Sequence, residues 1–138
     1  MEPLERIHSE GVALAYIIRL AMKPDKTTFL TPSDFNFQLG IVVYPAGGAV
    51  APHLHRPLER RIIGTSEVLL VKKGRCEIDI YNSKRELVAT RELNEGDLVL
   101  TINGGHGFRM LEDTVLLEVK QGPYSGVDEK ERFSHDPG

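Results

Sequence analysis

Cysteine is nearly missing from this chain. With Cys76 alone among 138 residues, no internal disulfide staples the fold and no zinc-type cysteine pair exists, so a reducing cytoplasm is the expected compartment. Long apolar runs are missing too. The longest, Val12 to Ile18, is far shorter than the roughly 20 residues that cross a bilayer. It also starts too late for a secretory signal and lacks the basic flank and cleavage site of one. No charge of one sign dominates: 17 basic and 20 acidic residues leave a net charge of -3. That balance predicts no general attraction to nucleic acid or to an anionic membrane. Helical periodicity, fixed-period repeats and low-complexity linkers are absent as well. The remainder, 41% hydrophobic and 27% charged, is the composition of an ordinary globular domain long enough to enclose a core.

What recurs is a period of two, interrupted by Gly, Pro, Asn and Asp. Val12, Leu14, Tyr16 and Ile18 share a face, as do Phe35, Phe37, Leu39, Ile41 and Val43. A further strand is expected over Ala49 to His55, and another from Glu67 to Val71. Cys76, Ile78 and Ile80 alternate with Glu77, Asp79 and Tyr81, one dry face and one wet. Asn82-Ser83-Lys84-Arg85 and Asn94-Glu95-Gly96-Asp97 read as turns between later strands. The pattern predicts an all-β sandwich or barrel of roughly ten short strands with little or no helix. Residues 1–10 are expected to form an N-terminal arm and 11–124 a single barrel. Residues 125–138 form a polar tail, either frayed or a short helix. The apolar strand from Val12 to Leu20, read as an exposed edge, predicts a homodimer.

Of five histidines, two stand in His53-Leu54-His55 and one in Gly104-Gly105-His106-Gly107-Phe108. On a strand, residues two apart point the same way, so His53 and His55 would present two imidazoles from one face beside the small Ala49 and Ala51. Taken alone, such a pair is more often a surface or hydrogen-bonded pair than a metal site.

The wider pattern resembles the cupin superfamily. Gly47 is followed by five residues and then His53-Leu54-His55, and Glu67 by six residues and then Gly74. A second half-motif starts at Gly96 and runs through Ile102 and Gly104 to His106. The chain departs from the family in three places. Eleven residues separate His55 from Glu67, Ile102 stands where proline is usual, and Met110 replaces a final Asn. The resemblance implies a double-stranded β-helix, a jelly-roll barrel, with one divalent metal ion held by His53, His55, Glu67 and His106. Glu59 satisfies the family's short spacing after His55, whereas Glu67 satisfies the spacing to Gly74 and heads a strand with Leu69 and Val71 on its own face. Alternation therefore favours Glu67.

Three neutral imidazoles and one carboxylate suit iron, manganese, nickel or zinc, and leave open positions on a six-coordinate ion. The implied function is a metal-dependent protein acting on a small polar molecule, dioxygenase-like or isomerase-like. A non-catalytic binding or sensing module is the alternative. A metal-independent sugar-nucleotide epimerase would require a His-Asp pair and a Tyr, and no matching Asp is evident. Arg60 and Arg61, with Arg56 in the same insert, suit an anionic ligand. Phe108 and Met110 share the face of His106, so Phe108 is a candidate pocket wall and equally a core residue. Arg19, alone among small apolar residues, reads as a snorkelling side chain.

Overall fold

The computed structural model describes residues 2–134. Its strands are β1 (Leu4–Ser9), β2 (Val12–Ile18), β3 (Thr28–Phe29), β4 (Gly40–Ile41), β5 (Glu67–Lys73), β6 (Arg75–Tyr81), β7 (Leu87–Asn94), β8 (Leu98–Thr101), β9 (Gly105–Met110) and β10 (Val115–Lys120). One turn of 3-10 helix, Gly126–Glu129, follows. The described residues form two compact units, one of residues 2–22 and 65–134, the other of residues 23–64. The fold is all-β, in three antiparallel sheets that do not close into one barrel. Among the described residues no helix is long and apolar enough to cross a membrane.

The first unit is a sandwich. A five-stranded sheet, β1-β2-β8-β5-β10, faces a three-stranded sheet, β7-β6-β9. Alternation decides what lies between them. Ile7, Ala15, Ile17, Val71 and Val99 come from the larger sheet, and Cys76, Ile78, Ile80 and Leu93 from the smaller. Phe108 and Leu116 pack against this core. Ile17, Ile78 and Val99 are fully buried, and each such side chain stabilises by about 1.5–3 kcal/mol relative to an exposed one. The outer face of β6 is drier than its residue types predict. Asp79 is buried under Arg109 and accepts a hydrogen bond from Thr90 Oγ1 at 2.6 Å, and Tyr81 is buried as well.

Two expectations about strand edges are corrected here. Leu4–Ser9 is not a loose arm but β1, paired along its length with β2. Hydrogen-bonded to β1 on one side and β8 on the other, β2 is internal and offers no edge to a second copy. The free edges of the larger sheet are β1 and β10.

Arg19 does not snorkel. It is 7% exposed, and its Nη1 lies 3.0 Å from Asp97 Oδ2 and 2.6 Å from the Glu92 carbonyl oxygen. Asp97 also accepts backbone N–H bonds from Leu20 (3.0 Å) and Asn94 (2.8 Å), so one carboxylate ties β2 to the β7–β8 turn. Gly74, which closes the first half-motif, has a structural reason to be glycine. Its φ is +91°, and a Cβ there would fall 2.3 Å from the Asp113 carbonyl oxygen. Gly74→Ala is expected to destabilise the chain by about 2 kcal/mol through strained φ and a displaced β9–β10 turn. Urea denaturation would measure it, and an unchanged midpoint would reject the close approach.

In the second unit, the two-residue strands β3 and β4 form the regular structure. The long alternation from Phe35 to Val43 yields only Gly40–Ile41, and Ala49 to His55 forms no strand. Pro52 and Pro57 remove backbone donors, and proline in a strand interior cannot complete a ladder.

Candidate metal centre

Glu67 opens β5. Its neighbours in register are Thr101 of β8 and Lys120 of β10, and its backbone N–H donates to Thr101 Oγ1 at 3.0 Å. The side chain takes the interior face shared by Leu69 and Val71, as alternation requires, and Glu67 is 9% exposed. His106 lies on β9 opposite Ile80, whose side chain belongs to the core. Its Nε2 stands 3.7 Å from Glu67 Oε1. Residues far apart in sequence, from opposing sheets of one sandwich, are thus brought side by side. Phe108, two residues on, sets its ring against His106 with centroids 5.8 Å apart and packs on the core, so it supports the imidazole from below.

A second carboxylate joins them. Glu118 of β10 shares a hydrogen bond with Glu67. Burial, then that hydrogen bond and the neighbouring negative charge, push the Glu67 carboxyl up to about 7. Accepting the hydrogen bond holds Glu118 below the usual carboxylate range. Burial also lowers His106, which favours its neutral form, the form able to coordinate a metal. Glu67 and the neutral His106 imidazole, 3.7 Å apart, are two of the donor types that suit a divalent cation, and Glu118 bears on them through Glu67. An ion held by Glu67 and His106 would displace the Glu67 proton, so its binding would be linked to pH. Glu118 escaped the sequence reading. Glu118 is itself exposed, on the same strand face as Leu116 and Lys120, and alternation alone did not mark it.

The other proposed ligands belong to the second unit. His53 and His55 are exposed on a segment without regular structure, their ring centroids 5.2 Å apart and edge-on. His53 Nδ1 lies 2.9 Å from the Ala51 carbonyl oxygen, a contact that leaves Nε2 free to act as a ligand. The shared face expected from a strand is therefore not the cause of their proximity; the loop is. Glu59, Arg60 and Arg61 are exposed in the same segment. Among the described residues no group of three or more His, Cys, Asp or Glu side chains stands close enough to hold a metal ion. A small cavity of about 100 Å³ is lined by Ser9, Glu10, Leu14, Asn82, Lys84 and Asn103, among others, and includes neither Glu67 nor His106. Compared with protein-family models, with curated proteins and with solved structures, the chain matches none.

Proposed function

We propose that this chain is a metal-dependent, cupin-like protein acting on a small polar molecule that carries an anionic group. The observation that supports the reading best is the Glu67–His106 pair, 3.7 Å apart and supplied by two facing sheets, at the two positions the motif assigns to ligands. Placing His53 and His55 on the same ion rests on the sequence motif alone. A bound divalent ion would supply Lewis acidity and, if redox-active, oxygen chemistry. The residues around it have separate tasks. Glu67 and His106 would hold it, Glu118 hydrogen-bonds the Glu67 carboxyl, and Phe108 packs its ring against the imidazole.

Metal titration by calorimetry tests this, with Fe(II) under anaerobic conditions and with Mn(II), Ni(II) and Zn(II). His106→Ala and Glu67→Gln are each expected to weaken binding by roughly 100-fold or more, since a lost ligand costs at least as much as a lost supporting contact. Glu59→Gln should change it less than threefold. Unaltered affinity in both ligand variants would reject the centre. The elevated Glu67 carboxyl beside His106 also favours a second reading, metal-free proton transfer to and from a sugar-like substrate. Turnover that survives exhaustive chelation would select it.

A further inference from the structure

The segment after β10 belongs to no sheet, yet it is tied to the first unit at several points. Phe133 packs edge-on against Tyr81 with ring centroids 5.0 Å apart, and its ring lies where a Cβ on Gly105 would come within 3.2 Å. Arg85 pairs with Glu131 and stacks over Phe133 at 5.4 Å. Nearer β10, Glu129 Oε1 lies 3.4 Å from Lys120 Nζ. The two side chains are only 10% and 21% exposed.

We propose that Lys120 is a binding group for a small carboxylate anion, and that Glu129 of the C-terminal segment is its internal, displaceable occupant. Lys120 sits opposite Glu67 in the β5–β10 register, and Glu67 in turn faces His106. A carboxylate bound at Lys120 therefore lands beside the candidate metal centre, in the position a substrate anion would need. Tyr124 lies below the ammonium, its ring centroid 5.4 Å from Nζ, and limits how far Lys120 can swing. Among the described residues Glu129 has one further polar partner. Its other oxygen meets Ser125 Oγ at 3.3 Å, and the 3-10 turn that carries it is a single turn without ladder hydrogen bonds. A terminal segment held by side-chain contacts rather than by sheet pairing opens more readily than the strands it covers. The next residue, Lys130, adds positive charge that acts on Glu67, Glu118 and His106. The closed segment thus presents an anion to Lys120 and a cation to the carboxylates.

As an anion site this rests on the geometry of β10 and the C-terminal segment. As a substrate site it rests on the metal-centre reading. The test uses the full chain, freed of metal by chelation and then dialysed, with malonate as the probe in isothermal titration at low ionic strength. Glu129→Gln is expected to bind malonate at least tenfold more tightly than the parent chain, because the internal competitor is lost. Lys120→Met on the Glu129→Gln background should abolish that gain. Phe133→Ala, which loosens the segment without touching the anion site, should raise affinity about threefold or more. Equal malonate affinity in the parent and Glu129→Gln chains overturns the proposal, as does a gain that survives Lys120→Met. Because no metal is present, failure here leaves the Glu67–His106 centre standing, and failure of metal binding leaves the anion site standing.

Discussion

Between pH 5 and pH 8 the metal-free chain should lose stability, and Glu67→Gln should remove most of that loss. The folded protein holds the Glu67 proton up to about pH 7, whereas the unfolded chain releases it near the ordinary value of 4.5. Across that interval the native state binds more protons than the unfolded one, so stability falls as pH rises. A shift from 4.5 to about 7 amounts to about 2–3 kcal/mol between pH 5 and 8. His106 acts in the opposite direction. Its lowered pKa gives stability at neutral pH that fades as pH falls below 6.5. Subtracting the Glu67→Gln profile from the parent's gives the contribution of Glu67 together with its coupling to Glu118 and His106. Urea unfolding at fixed ionic strength measures both. A parent profile as flat as the variant's would mean that Glu67 is not held protonated. Saturating metal should reverse the trend in the parent, because an ion replaces the proton and binds more tightly as pH rises.

Asp97→Ala should be the most damaging single change in the first unit, costing about 3–5 kcal/mol. It removes the partner of the buried Arg19 guanidinium and strands the backbone N–H groups of Leu20 and Asn94. Arg19 Nε already lacks a hydrogen-bond partner, so after the change the buried guanidinium keeps the Glu92 carbonyl oxygen but no carboxylate from Asp97. The double change Arg19→Met with Asp97→Asn should recover more than half of the loss. It removes both charges together, and the amide oxygen keeps an acceptor near the turn. A cost below about 1 kcal/mol for Asp97→Ala would show the pair to be solvated in solution. Exposed pairs such as Arg75–Glu92 offer the contrast. Both side chains there are more than 40% exposed, and their removal should hardly move the midpoint.

Much of the first unit was legible in the chain because its signals are local. Cys76, Ile78 and Ile80 alternate with polar neighbours, and all three are buried where alternation put them. The turns at Asn82–Arg85 and Asn94–Asp97 carry their own chemistry. Asn82 Oδ1 accepts backbone N–H bonds from Lys84 and Glu86, both at 3.0 Å, and Gly96 takes a φ of +88°. The second unit misled for the same reason. Phe35 to Val43 and Ala49 to His55 alternate as strands do, but alternation states only which way side chains would point if a partner strand were present.

Period and turn chemistry determined, without coordinates, that the chain is all-β, where the strands of the first unit after β1 lie, and that Glu67 faces inward. Only the tertiary structure decided that β2 is an interior strand, that Arg19 is locked to Asp97, and that Glu118, Lys120 and Glu129 gather beside Glu67 and His106. The division has one cause. A residue's direction along a strand follows from its neighbours in sequence, whereas its partner across a sheet or a sandwich depends on strand order, register and burial, which no local pattern encodes.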